Sequence, residues 1–122
     1  MAGEAEAHQI ANDFAHRYET AWSRGADAVS ALYAADGVLV GHVTAIGRPQ
    51  ILKLVRGIIG QGWTSIKIKI VDARRIGDVV LIANEYAASG SGDQAGKTLS
   101  ATASHLLVQT DGAWHSTLHT AR

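Results

Sequence analysis

The feature that most constrains the fold is a change in hydrophobic period near the middle of the 122-residue chain. Before this point the apolar residues recur every three or four positions, which predicts amphipathic helices. After it, Ile66, Ile68 and Ile70 alternate with lysines, which is typical of a strand with one buried face. The sequence therefore predicts an α+β fold with three helices in the first half, followed by one antiparallel meander.

The helix boundaries follow from glycine, proline and capping residues. The first helix is expected over residues 4–24, ending before Gly25. Asp27 can cap a short second helix that runs through Tyr33. The third helix is expected to begin at Gly47-Arg48-Pro49, because proline suits a first helical turn, and to stop at Gly60.

The strands are bounded by turn residues. A short stretch rich in β-branched residues, 37–44, is predicted as a strand between the second and third helices. The meander is predicted from Ile66 onward, with Gly77-Asp78 as its first turn and later strands over 79–88, 98–108 and 113–120. No repeat or second-domain linker interrupts this order, so residues 1–122 are expected to form a single domain.

Composition excludes several classes of function. The chain has no cysteine, so disulfides, thiolate nucleophiles and Cys-ligated metals are not possible. Eleven basic residues balance eleven acidic ones, which disfavours nucleic-acid binding. No apolar run approaches the roughly 20 residues that span a bilayer, and the start lacks the features of a signal peptide. We expect no nucleic-acid or membrane partner and a cytoplasmic location.

No metal or other cofactor is predicted. His115 and His119 are four residues apart on a strand, which separates their side chains by about 13 Å, too far for one ion. His8 and His16 are two helical turns apart, about 12 Å, and fail the same test. The glycines near residue 60 follow a helix rather than a strand, so they do not form a dinucleotide-binding motif.

Several local strings occur in a characteristic order. They are residues 21–25 (AWSRG) with Asp27, residues 32–38 (LYAADGV), residues 47–51 (GRPQI), and residues 111–114 (DGAW) followed by His119. In order and spacing the chain resembles SnoaL-like members of the nuclear transport factor two-like superfamily, and within them the SgcJ/EcaC-type proteins. The resemblance implies the cone-shaped fold of ketosteroid isomerase: a curved antiparallel sheet and helices around an apolar pocket, in a homodimer packed through the sheets.

The resemblance also places individual residues. Ketosteroid isomerases carry a hydrogen-bonding Tyr on helix one, a catalytic Asp on the first strand and a neutral Asp on a late strand. Tyr18 corresponds to the first, Gly41 to the second and His105, approximately, to the third. Because Gly41 cannot move a proton, the usual ketosteroid isomerase mechanism is not expected here.

Two aromatic residues on the apolar stripe of helix one are candidates for ligand contact. The Tyr18 hydroxyl can donate to a ligand carbonyl, or it can fill the core and bond to backbone. Trp22, one turn later, can form a ligand platform or belong to the core.

Two histidines are candidates on the last two strands. His105 alternates with apolar residues, which indicates either a pocket position or a buried neutral histidine bonded to backbone. A three-residue loop, Thr110-Asp111-Gly112, puts His119 on the same face as His105, whereas a two-residue loop, Asp111-Gly112, turns it away. The resemblance favours the three-residue loop.

Three further candidates depend on which face of their strand is buried. Glu85 alternates with apolar residues and, if inward, would have a raised pKa suited to a general base. Asn84 and Tyr86 occupy the opposite face, so either set can point inward, with Tyr86 as a ligand contact in that case. His42 has the same ambiguity on its own strand.

Three functions fit these residues. The first is a cofactor-independent isomerase- or cyclase-type enzyme of natural-product biosynthesis, acting on an apolar carbonyl compound, in which Tyr18 and His105 polarise oxygen and His119 or Glu85 moves a proton. The second is a non-catalytic ligand-binding accessory protein. The third is a dimerisation module whose cavity is filled by its own side chains.

Overall fold

The helices and strands follow one another in the order that the hydrophobic pattern predicts. The computed structural model describes residues 2–122. Its helices are α1 (Ala2–Arg24), α2 (Ala26–Ser30) and α3 (Arg48–Gly60), and its strands are β1 (Tyr33–Val40), β2 (Thr44–Ile46), β3 (Trp63–Ile76), β4 (Val79–Gly90), β5 (Thr98–Thr110) and β6 (Ala113–Ala121). In this part of the chain, no helix combines the length and the apolar character needed to cross a membrane.

The strands form one six-stranded sheet in the order β2-β1-β6-β5-β4-β3. Strands β3 to β6 are the predicted antiparallel meander. The sheet is mixed, however, because β1 pairs with β6 in parallel. The expectation of a wholly antiparallel sheet is corrected here: the chain leaves β1 through β2 and α3, enters the meander at the far edge, and returns with β6 running in the direction of β1.

The segment between α1 and α3 differs most from its predicted boundaries. Tyr33 begins β1 rather than ending α2, because the preceding residue is already hydrogen-bonded to the sheet. The Ser116 amide donates to the Leu32 carbonyl at 2.9 Å. Gly25, with φ 120°, occupies the N-cap of α2, so Asp27 lies in its first turn and does not cap it. The predicted strand over 37–44 is divided into β1 and the three-residue β2 by a bend at residues 41–43.

The core lies between the helices and the inner face of the sheet. Helix α1 packs across β3, and the Trp22 indole ties the two together by donating from Nε1 to the Trp63 carbonyl at 2.9 Å. Helix α3 contributes Ile51 and Val55, which are both essentially inaccessible to solvent. These contacts cover one side of the sheet and leave the other side exposed.

The turn between β5 and β6 has two residues, Asp111 and Gly112, with φ values of 53° and 79°. Left-handed values at both central positions are typical of a type I′ turn. The predicted three-residue loop is therefore wrong. A β-bulge restores the expected face: Leu107 pairs with Ser116 and Leu106 with Leu118, which leaves Thr117 without a partner. Beyond this bulge, His119 lies directly opposite His105.

Candidate functional site

The inner face of the sheet, α1 and α3 enclose a predominantly apolar cavity of about 400 Å³. This volume lies within the range of small-molecule sites. Buried Tyr18, His105 and His119 form its closed end, and the exposed residues His42, Val43 and Gln61 form its mouth. Its remaining walls come from Trp22, Leu39, Gly41, Leu54, Val55, Ile58, Trp63, Ile66, Ile68, Asn84, Tyr86, Ala88, Leu99 and Ala121.

Three buried side chains form a continuous hydrogen-bonded series at the closed end. The hydroxyl oxygens of Tyr18 and Tyr33 are 2.6 Å apart, and the Tyr33 oxygen is 2.7 Å from Nδ1 of His119. Tyr18 comes from α1, Tyr33 from the start of β1, and His119 from β6. Tyr33 is fully buried and lies behind the cavity wall, whereas Tyr18 and His119 both line the cavity.

The two histidines at the closed end are stacked. Their ring centroids are 3.8 Å apart with an interplanar angle of 15°. Burial lowers the pKa of His119 to about 3, and burial together with the neighbouring His119 lowers the pKa of His105 well below its usual value. Both rings are therefore neutral near pH 7 and act as hydrogen-bonding groups rather than as cations.

The tautomer of His105 follows from its partner. Ser116 Oγ donates to the Leu118 carbonyl at 3.1 Å and lies 2.9 Å from His105 Nδ1. A hydroxyl has one proton, so both bonds are satisfied only if Nδ1 carries a proton and donates to Ser116. His105 Nε2 is then an acceptor at the cavity wall. The role of His105 toward a ligand oxygen stays a prediction, and in this tautomer Nε2 accepts a hydrogen bond rather than donating one.

The tyrosines remain protonated. Burial raises the pKa of Tyr18 and of Tyr33 well above the usual value for a phenol, and burial also raises the pKa of the half-buried Tyr86. A neutral phenol can both donate and accept a hydrogen bond. The closed end of the cavity is thus polar but uncharged, which suits a ligand with an oxygen function on an otherwise apolar body.

The structure brings most of the predicted site residues together. Tyr18, His105 and His119 meet at the closed end, while Trp22 and Tyr86 line the walls. His42 lines the cavity too, but it lies in the bend after β1, where it is exposed at the mouth.

Glu85 does not join this group. On β4 the residues Ile82, Asn84 and Ala88 are buried, and Glu85 lies on the opposite, exposed face. It lines a shallow depression on the outer face of the sheet together with Lys67 and Lys69. The prediction of Glu85 as an inward general base is therefore corrected, because the strand parity makes it a solvated charge.

Sequence reasoning missed three residues that shape the site. Tyr33 was assigned to a helix, so its place in the sheet was not expected. Ser116 lies beside His105 because the two-residue turn places it on the inner face of β6, opposite Leu107. Asn84 was assigned to a face but given no role; its Oδ1 is buried and has no hydrogen-bond partner among residues 2–122. Strand parity on β4 is the one signal that could have identified Asn84.

Within residues 2–122 no three His, Cys, Asp or Glu side chains are grouped so that they could hold a metal ion.

The fold belongs to the class of cone-shaped α+β folds. In this class a curved sheet and the helices that cover it enclose an apolar cavity, which here has a polar closed end. A family model described as a SnoaL-like domain matches residues 10–120, so this chain belongs to the SnoaL-like family. The SgcJ/EcaC-type subgroup stays a prediction. No curated protein matches the sequence significantly.

Solved structures support the same fold. An NTF-2-like protein of unknown function from Shewanella oneidensis MR-1 is 15% identical, with 93% of this chain and 97% of that chain covered and a TM-score of 0.79. A ketosteroid isomerase-like protein from Erwinia carotovora atroseptica is 20% identical, with 93% and 92% covered and a TM-score of 0.76. A hypothetical protein from Catenulispora acidiphila, solved with trimethylamine, is 25% identical, with 89% and 83% covered and a TM-score of 0.61.

Proposed function

We propose that this protein is a cofactor-independent isomerase- or cyclase-type enzyme that moves a proton at the carbon next to a carbonyl group in an apolar small molecule. The observation that carries the proposal is the Tyr18–Tyr33–His119 hydrogen-bonded series at the closed end of an apolar cavity. It combines, in one buried place, a neutral donor for an oxygen and a neutral nitrogen base.

The chemistry of the two cavity-lining groups supports this reaction. A hydrogen bond from Tyr18 to the ligand carbonyl stabilises the negative charge that develops on oxygen as the neighbouring C–H bond breaks. His119 Nε2 makes no hydrogen bond within residues 2–122 and is the group available to receive that proton. The apolar walls exclude water, which strengthens both interactions.

His105 contributes a second contact of opposite polarity. Its Nε2 accepts a hydrogen bond, so it suits a ligand hydroxyl rather than a carbonyl. A ligand with both a carbonyl and a hydroxyl group, such as an intermediate of polyketide or related natural-product biosynthesis, matches the two contacts. We also propose that the protein is located in the cytoplasm.

A non-catalytic ligand-binding protein is the second candidate. One observation favours it: no carboxylate lines the cavity within residues 2–122, so the carboxylate base that ketosteroid isomerases use has no counterpart there. The third hypothesis, a dimerisation module, predicts a cavity filled by its own side chains, and the open volume of about 400 Å³ argues against it.

Exchange of carbonyl-adjacent protons distinguishes the first two candidates. A panel of apolar ketones, including β-tetralone and its hydroxylated derivatives, would be incubated with the protein in heavy water, and exchange would be followed by proton NMR. We expect exchange above the buffer rate, lowered by Tyr18→Phe and by His119→Gln and unchanged in the exposed control His16→Gln. Saturable binding of these ketones without exchange would favour the accessory protein.

A further inference from the structure

We infer that Tyr33 is a positioning residue that couples the acid and the base of the proposed reaction, by relaying a proton between His119 and Tyr18 behind the cavity wall. This inference rests on the proposed function and deepens it. The observation behind it is topological: two groups that line the cavity are joined by a third that a ligand cannot reach.

The geometry of Tyr33 is suited to a relay and not to ligand binding. Its ring is fully buried, and its hydroxyl oxygen lies 2.6 Å from that of Tyr18 and 2.7 Å from His119 Nδ1. Arg48 holds the backbone at this point, since Nη2 and Nε donate to the Tyr33 carbonyl oxygen at 2.5 and 3.2 Å. The hydroxyl is therefore fixed between its two neighbours, at hydrogen-bond distance from each.

The relay balances as a keto–enol conversion. Before reaction, His119 Nδ1–H donates to Tyr33, Tyr33 donates to Tyr18, and Tyr18 donates to the ligand carbonyl oxygen. The C–H bond next to the carbonyl breaks, its proton bonds to His119 Nε2, and its electron pair forms the C=C bond of the enol. The proton on Nδ1 passes to Tyr33, that of Tyr33 to Tyr18, and that of Tyr18 to the ligand oxygen.

Every side chain is neutral at both ends of this step. That matters because burial disfavours the imidazolium form of His119 and the phenolate forms of both tyrosines. A base that kept its proton as a cation would be costly in this environment. Passing a second proton onward removes the charge, so the enol can form. Once the proton on His119 Nε2 has been replaced by one from solvent, reversal delivers the solvent proton to the same carbon or to a conjugated one.

Tyr33→Phe tests the relay, because it removes one hydroxyl and keeps the ring. We expect the turnover number for ketone exchange to fall by about 100-fold or more with little change in KM. The matched control is Ser30→Ala, which removes a buried hydroxyl bonded to the Asp27 carbonyl, away from the cavity. This control is expected to keep both kinetic parameters.

A second readout uses the unaltered protein. The exchange rate would be measured in mixtures of light and heavy water: a relay that moves several protons gives a curved dependence on deuterium fraction, and transfer of one proton gives a straight line. Turnover in folded Tyr33→Phe within twofold of the unaltered protein, or a straight line before substitution, would overturn the relay alone. Absence of exchange with every ketone in the unaltered protein would overturn the proposed function instead, and the catalytic role of the relay with it.

Discussion

His105 and His119 face each other from adjacent strands and stack with their ring centroids 3.8 Å apart. Both rings are buried, so protonation of either one is disfavoured in the folded state. The effect of this on the stability of the protein can be measured without knowledge of the ligand.

The histidine pair should make stability depend on pH. In the unfolded chain the histidines bind protons below about pH 6.5, whereas His119 resists protonation down to about pH 3 in the fold and the pKa of His105 is also depressed. The unfolded state thus binds more protons in this window, so the free energy of unfolding should fall as the pH is lowered from 6.5 to 5, with a slope that approaches about 1.4 kcal/mol per pH unit for His119 and a further contribution from His105. Urea unfolding at several pH values measures the slope. A flat profile would contradict the neutral stacked pair.

His105→Leu separates ligand contact from packing. The substitution keeps apolar bulk and removes both ring nitrogens, and Ser116 retains its bond to the Leu118 carbonyl. We expect binding of a hydroxylated tetralone to weaken by about 1 to 3 kcal/mol with a modest loss of stability. Ligand titration and thermal melting of the same samples check this. Glu85→Gln, on the outer face, is the control for binding. Unchanged affinity with a clearly lower melting temperature would make His105 a packing residue.

We expect Asn84 to lower the stability of the free protein and to bind a hydroxyl group of the ligand. Its Oδ1 is buried without a partner among residues 2–122, and Asn84 lines the cavity. Asn84→Leu removes this unsatisfied group, so the melting temperature should rise, while the preference for hydroxylated over unsubstituted tetralone should shrink by about 1 to 3 kcal/mol. Isothermal titration with both ketones measures the preference. An unaltered preference would indicate that the amide oxygen does not meet the ligand.

The outer face of the sheet should pair with a second copy of the chain. Leu81, Leu106 and Leu118 lie opposite one another on β4, β5 and β6, and the row continues to Val38 and Ile46. Leu81 and Leu118 are each 39% exposed and Ile46 is 62% exposed. In a two-fold interface the same patch of both copies must fit against itself. The outer face meets this condition in charge, since it carries two lysines as well as Glu85.

Sedimentation at micromolar concentration tests this pairing. We expect a homodimer that Leu118→Asp converts to a monomer, because an aspartate would be buried without a partner. Val43→Asp, an equally apolar but exposed position at the cavity mouth, should leave the dimer intact. A monomeric unaltered protein would contradict the proposal.

The sequence contains much of this architecture because its elements are strongly periodic. The stripes of α1 and α3 and the alternation after Ile66 specify which faces are apolar, and Pro49 and Gly60 mark the ends of α3 within one residue. The same reasoning could not decide the parity of β4. Both Glu85 and Asn84 have apolar neighbours, and only packing against the helices determines which of them is buried.

The site itself depends on contacts between distant parts of the chain. Tyr33 follows a helical stretch and has no local signal for a strand; its place comes from pairing with Ser116, more than eighty residues later. The position of His119 illustrates the other difficulty. The predicted turn was wrong by one residue, and the bulge at Thr117 shifted the register by one residue in compensation.

The bulge also gives a rule for comparing relatives of this protein. Before the bulge the inward residues of β6, Trp114 and Ser116, are two positions apart, and after it His119 and Ala121 are again two apart. Across the bulge, from Ser116 to His119, the spacing is three positions. Deletion of Thr117 should therefore preserve the histidine stack. A regular strand that kept Thr117 in line would instead turn Leu118 inward and His119 outward. The polarity of the cavity thus depends on a residue outside its lining. A relative of the same length whose β6 has no bulge can have the same fold with a leucine in place of the histidine on this wall of the pocket.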